Sequence, residues 1–294
     1  MSDVRAARRV GTARWATAAL IAAAALGACS PLRVFDTLVP KDQDARLVAR
    51  GAAYGPDPRQ RLDIYAPSRA APRPWPVIVF IYGGSWNSGF REGYGFVGRA
   101  LAAHGFLVVI PDYRLVPQIR YPVFLEDNAA AVRWTIAHAG QYDGDPRRLV
   151  IAGHSAGAYD AAMLAYDPRW LGADRATLRG FVGLAGPYDF LPSNVPAAIA
   201  AFGANPDPHG MQPLDAVSPG APPALLATGD RDKTVGPYNS DRLAERLRAA
   251  GVMVERRTYP AVGHIGLVTA LAAPFRKRAP VLADVVGFAG MVTR

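Results

Sequence analysis

The sequence predicts an α/β fold: an open, mostly parallel sheet covered by helices on both faces. Three observations predict it. From about Arg46 onward, short apolar runs alternate with longer segments of helical period. Most of these runs are almost continuously apolar, as strands buried on both faces of a parallel sheet are. One run, Arg148-Leu149-Val150-Ile151-Ala152, passes directly into Gly153-His154-Ser155-Ala156-Gly157 and then into Ala158–Ala165, a strong helix former. That last unit is a strand, a tight turn and a helix in succession.

The elements follow in order. Leu62–Tyr65, Val77–Tyr82, Phe106–Ile110, Leu149–Ala152, Phe181–Leu184, Ala224–Thr228 and Val252–Tyr259 read as strands. Phe96–His104, Val123–His138, Ala158–Ala165 and Asp241–Ala250 read as helices. The last has apolar residues three to four apart and is stopped by Gly251. Residues 188–223 break the alternation. They are rich in proline and small residues, carry one short helical patch at Ala197–Phe202, and far exceed an ordinary connection. This stretch is expected to form a small cap over the site, although a long surface excursion would have the same composition. Ligands of such sheets sit at the carboxyl ends of the strands.

Size and charge limit the possibilities. The 294 residues, 50% hydrophobic, suffice for one large core. The net charge of +9 is carried almost wholly by arginine, since Lys41, Lys233 and Lys277 are the lysines. The arginines are scattered, with no basic stripe interleaved with aromatics, so a nucleic-acid partner is not expected. No His/Cys/carboxylate cluster has metal-ligand spacing, so neither metal nor organic cofactor is expected.

The N-terminal segment reads as an export leader. Arg5, Arg8, Arg9 and Arg14 precede an apolar run from Trp15 to Ala28. Fourteen residues fall short of the ~20 that span a bilayer and suit a signal core. The run ends in Leu26-Gly27-Ala28-Cys29, which resembles the lipobox of bacterial lipoproteins. That resemblance implies a leader over 1–28, a lipid on Cys29, and an envelope protein held to a membrane by its anchor. A plain cleaved signal would leave Cys29 incidental. Residues 29–45 then read as a tether and 46–294 as the catalytic domain.

The turn at 153–157 carries the chemistry. A Gly-x-Ser-x-Gly turn between strand and helix exposes the serine oxygen above the sheet edge, and the turn is too tight for side chains at its flanks. Ser155 is therefore the candidate nucleophile. It needs a base, and the base needs an orienting acid. In the chain order Ser, acid, His, only His209 and His264 follow Ser155. His264 lies in a Gly-flanked loop just after a strand, whereas His209 lies in the Pro-rich cap, so His264 is favoured. His154, inside the turn, is expected to point away from the chemistry. Asp230 and Asp232 both follow the strand Ala224–Thr228, and local physics does not separate them. Tyr82-Gly83-Gly84-Ser85-Trp86 also ends a strand. Its Gly83 and Gly84 N–H groups, with that of Ala156, are the expected oxyanion donors. Trp86, Tyr159 and Tyr188, with Phe90 and Ile265, are the expected pocket walls.

Taken together, these motifs resemble the α/β-hydrolases, and more narrowly the esterases with a His-Gly-Gly-x-Trp oxyanion loop. That group includes the BD-FAE-like carboxylesterases, and kynurenine formamidases and isoprenylcysteine methylesterases belong to the same broad set. The matching stretches are Tyr82–Trp86, Asp112–Leu115, Tyr121-Pro122 with Glu126-Asp127, Tyr142–Pro146, Gly153–Gly157, Gly229–Val235 and Val262–Gly266. The resemblance implies a small-molecule ester substrate and assigns the acid to Asp232. It also implies structural roles for Asp112, Arg114 and Asp127. The usual histidine before the two glycines is Tyr82 here, and a phenol is expected to brace the loop in its place. An amide-cleaving enzyme of the same fold and a non-catalytic binding protein on this scaffold are the alternatives.

Overall fold

The computed structural model describes residues 31–68, 72–204 and 207–294. The leader over 1–28 and Cys29 lie outside the described residues. Where a tether is expected, Pro31–Leu38 forms a short helix, α1, in a unit separate from Val39–Arg294. Its proline sits at the first helical position, where no N–H is needed. Leu32, Phe35 and Leu38 follow at spacings of three.

In the larger unit, eight strands make one sheet among the described residues: β1 (Ala45–Ala53), β2 (Arg61–Pro67), β3 (Trp75–Ile81), β4 (Leu107–Pro111), β5 (Gly144–His154), β6 (Leu178–Leu184), β7 (Ala224–Gly229) and β8 (Val254–Tyr259). Their order is β1-β2-β4-β3-β5-β6-β7-β8. β1 and β2 run antiparallel, as do β2 and β4, and every pair from β4 to β8 is parallel. The apolar runs are the centre of this sheet. Val77, Ile78, Val79 and Ile81 of β3 and Leu149–Ile151 of β5 are buried on both faces. Each such side chain contributes roughly 1.5–3 kcal/mol by leaving water. β1 is not anticipated by the sequence. Most of its residues are half-buried or exposed, so it shows neither a continuous apolar run nor a clean alternation.

The helices that matter for the site are α2 (Gly95–Ala102), α3 (Val123–His138), α4 (Ala156–Tyr166), α8 (Tyr238–Ala249) and α10 (Val281–Val292). α4 packs on β5 and β6 with α3 beside it, while α10 packs on β6 with α2 beside it. Phe288 of α10 fills the space left by Gly180 of β6. Four short helices complete the set: α5 (Pro168–Leu171), α6 (Pro196–Phe202) and α7 (Pro213–Ala216), the latter two in the 188–223 insertion, and α9 (His264–Thr269). α6 coincides with the anticipated helical patch.

The parallel strands β3, β5, β7 and β8 end on one edge of the sheet. From these ends the Tyr82–Trp86 loop, the Ser155 turn, the Asp230–Asp232 turn and the His264 loop all emerge.

Candidate active site

Ser155 has φ 56 and ψ −126, a conformation that a non-glycine residue adopts at a cost. Packing imposes it. A Cβ on Gly153 would lie 2.2 Å from the Gly157 carbonyl oxygen, and one on Gly157 would lie 2.2 Å from that of Ile81. Gly153 is therefore required by the tightness of the turn itself, and Gly157 by the approach of α4 to the end of β3. The Ser155 N–H is held by the Leu184 carbonyl at 2.9 Å, which ties the turn to β6.

Three of the expected residues meet in one hydrogen-bonded chain. Ser155 Oγ lies 2.8 Å from His264 Nε2, and His264 Nδ1 lies 2.7 Å from Asp232 Oδ2. The other carboxylate oxygen of Asp232 accepts the N–H groups of Thr234 and Val235, each at 2.9 Å. Burial alone would raise this carboxyl; the bonds from His264 and the two N–H groups outweigh it and hold the group below its ordinary value. Asp230, which local physics did not separate from Asp232, is exposed, and its N–H is spent on the Tyr259 carbonyl. The acid turn and the histidine loop are locked together: Arg231 N–H donates to the Val262 carbonyl, and a Cβ on Gly229 would strike the same oxygen. His209 lies exposed in the insertion.

His154 does not point away. Its ring lies 4.8 Å from that of His264, and its Nε2 lies 3.2 Å from the His264 carbonyl oxygen. Burial, and then the neighbouring His264, lower its pKa from 6.5 to about 3. It is a neutral prop under the histidine loop, and the Nε2-protonated tautomer donates to that carbonyl.

A Cβ on Gly83 would lie 2.8 Å from Ser155 Cβ, so the oxyanion loop runs against the serine as anticipated. Ser85 and Ala156, rather than Gly83, line the cavity beside Ser155. Gly84 does not line it either, and the Ala156 N–H lies at the N-terminus of α4, where helix donors have no internal partner. Behind the loop, Tyr82 fills the place of the family's histidine. Its hydroxyl donates to Asp112 at 2.7 Å and accepts from Arg59 at 2.9 Å, and its ring stacks on Tyr113 at 4.9 Å. Arg91 joins Asp112 to Asp63, so the brace reaches β2. Arg114 and Asp127 pair beside it, in the structural role the resemblance implies.

The cavity at Ser155 measures about 300 Å³. Trp86, only 4% exposed, lines it as anticipated. Tyr159 and Tyr188 do not. Both are fully buried: Tyr159 donates to the Met211 carbonyl at 2.6 Å, and Tyr188 packs edge-on against Phe181. A helix or loop aromatic next to a site turns inward whenever the core behind it has room, and that is not legible locally. Phe90 and Ile265 also lie off the cavity wall, Ile265 at 64% exposure. The walls come instead from the insertion, through Phe190, Pro192, Val195 and Ala198, and from Thr234, Val235 and Tyr238. The insertion is therefore a wall of the site and not an excursion. A larger open groove, about 750 Å³, lies at the opposite edge of the sheet, between Leu178, Pro223 and Met291. Among the described residues its lining carries two arginines and no carboxylate, histidine or hydroxyl, whereas the smaller cavity opens on Ser155. Among the described residues, no three His, Cys, Asp or Glu side chains are grouped to hold a metal, and no helix is long and apolar enough to cross a membrane.

Comparison with known proteins fits this geometry. The BD-FAE family profile matches residues 62–247. The chain is 31% identical over 239 residues to esterase LipC of Mycobacterium tuberculosis, a match covering 73% of this chain and 59% of LipC. It is 32% identical over 223 residues to carboxylesterase NlhH of the same organism, covering 68% of this chain and 69% of NlhH. The match thus spans less than two thirds of LipC. Esterase B from Lactobacillus rhamnosis superposes with a TM-score of 0.77 at 20% identity, covering 100% of this chain and 97% of the other. That likeness bears on the fold, which is the α/β-hydrolase fold.

Proposed function

The chain belongs to the BD-FAE family, and from that premise we propose that it is a serine carboxylic-ester hydrolase working through an acyl-enzyme. The observation that carries the reading is the hydrogen-bonded chain from Ser155 through His264 to Asp232, opening on a cavity. With Nδ1–H donated to Asp232, His264 Nε2 is free to take the Ser155 hydroxyl proton. Ser155 Oγ then bonds to the ester carbonyl carbon. The developing oxyanion is held by N–H groups of the Gly83–Ser85 loop and Ala156. His264 returns the proton to the leaving alcohol. A water, deprotonated in turn by His264, releases the acid and restores Ser155.

The cavity supports small to medium uncharged acyl groups. Among the described residues its wall holds no carboxylate, lysine, arginine or histidine, so a charged substituent would lose hydration with no opposite charge to compensate. The names of LipC and NlhH, an esterase and a carboxylesterase, favour an ester over an amide. The test is turnover of p-nitrophenyl butyrate beside a formyl-amide substrate and a succinyl ester. The butyrate ester is expected to be preferred over both. Preference for the formyl amide would replace this reading with a formamidase, and failure to label with a fluorophosphonate probe would leave a binding protein.

We further propose that the chain is held to a bacterial membrane through a lipid on Cys29. The reading rests on the basic segment, the fourteen-residue apolar run and Leu26–Cys29. Two acyl signals or more at one end anchor stably where a single chain does not. Radiolabelled palmitate is expected to enter the wild-type chain and not Cys29→Ser; equal incorporation by both would end the idea.

A further inference from the structure

The turn that carries the oxyanion donors holds two consecutive non-glycine residues in the left-handed region, Ser85 at φ 51 and Trp86 at φ 60. L residues take that conformation at a cost, and it persists only where the surroundings over-determine it. Several contacts hold this one. The Gly84 carbonyl accepts the N–H groups of Asn87 and Ser88, each at 3.0 Å. The Trp86 carbonyl accepts the Val116 N–H at 2.9 Å. The Trp86 indole N–H donates to Asp160 Oδ1 at 3.0 Å, with Phe190 stacked on the ring and the edges of Tyr159 and Phe202 against it.

Asp160 is an unusual residue for its position. It lies in α4, five residues after Ser155, between alanines and other apolar residues, and it is fully buried. None of the salt bridges among the described residues gives it a cation. Its second oxygen takes an N–H of Asn128 at 3.1 Å. Burial drives its carboxyl well above the usual carboxylate range. A leucine would suit the packing of this helix better. What a carboxyl adds is an acceptor for the indole of Trp86.

We propose that Asp160 is a positioning residue. Its buried carboxyl pins the Trp86 indole from inside α4, and so fixes the Ser85–Trp86 turn that presents N–H groups to the oxyanion and forms a wall of the cavity. The nucleophile and the oxyanion turn are then set by a single helix: Ser155 and Ala156 by its first turn, Ser85 by its second. The inference rests on the serine-hydrolase reading for its kinetic consequence, but not for its geometry.

The test is a double-mutant cycle with Asp160→Leu and Trp86→Phe in the full-length chain, and Asp160→Asn as the conservative variant. Asp160→Leu is expected to lower kcat about tenfold or more, a part of the ~10²–10³ that loss of an oxyanion donor costs, with KM changed much less. Trp86→Phe is expected to lose a similar factor, and the double variant no more than the worse single one. Asp160→Asn, which keeps an acceptor, is expected to recover most of the loss. A folded Asp160→Leu protein that labels fully with fluorophosphonate and turns over like wild type overturns the inference, as do losses that multiply in the double variant. If Asp160→Leu does not fold, Trp86→Phe with wild-type kcat overturns it. A second readout is independent of activity. The Trp86 indole N–H resonance in 15N-labelled protein is expected to shift and lose exchange protection in Asp160→Leu and to keep both in Asp160→Asn; an unchanged resonance and protection in Asp160→Leu would overturn the inference. Failure of wild-type turnover would strike the serine-hydrolase reading alone.

Discussion

Ser155→Ala is expected to lower kcat for a short p-nitrophenyl ester by on the order of 10⁶, leaving the protein folded. The oxygen removed is the one that forms the new bond. Ser85 also lines the cavity, but the side chain hydrogen-bonded to His264 Nε2 is that of Ser155. Alanine keeps the Cβ that Gly83 packs against, and it carries the same backbone cost at φ 56, so stability should barely move. What remains should be ~10³–10⁴ over the uncatalysed rate, from oxyanion donors and bound geometry acting on water. Because the proton-transfer chain acts as a unit, His264→Ala should lose nearly as much, and the double variant little more than either. The measurement is a steady-state assay beside fluorophosphonate labelling and a thermal melt. An alanine variant that keeps even a few per cent of turnover, with contamination excluded by active-site titration, would remove Ser155 from the chemistry.

The serine was the most legible part of the site because its geometry is local. Gly153 and Gly157 are dictated by backbone within five residues and by the end of β3, and both show in the sequence as glycines between a strand and a helix. The central strands were legible for a similar reason: burial on both faces leaves a continuous apolar run. β1 was not, since an antiparallel strand with half its residues near solvent carries little pattern. The walls of the cavity were read less well. Tyr159 lies four residues after the nucleophile and Tyr188 just past the end of β6, yet each turns into the core; Phe190 and Val195, in an irregular segment without period, face the cavity instead. That Ser85, and neither Gly83 nor Gly84, lines the cavity had no local sign, because it depends on how the loop folds against Ser155. Asp160 did leave a signal, an acid among alanines on an otherwise apolar helix.

Asp232→Asn tests the part of the site that local reasoning left open. It is expected to lower kcat about 10⁴-fold with KM little changed, while Asp230→Asn behaves as wild type. The physical reason lies in the partners of Asp232. One carboxylate oxygen receives two N–H groups, from Thr234 and Val235. An asparagine must turn its carbonyl oxygen toward those donors and its NH₂ toward His264 Nδ1. Nδ1 then accepts, the ring proton moves to Nε2, and His264 presents a donor to Ser155 where the reaction needs an acceptor. The imidazole stays in place in the wrong tautomer. The imidazolium formed on attack also loses the carboxylate that stabilises it. Asp230 has no such consequence, since its side chain is exposed and its tie to the site runs through its own N–H to Tyr259, which asparagine keeps. Kinetics of the two variants side by side, with melting curves to show that both are folded, decide the matter. Loss in Asp230→Asn with activity retained in Asp232→Asn would move the acid by two residues and contradict the geometry of the His264 loop.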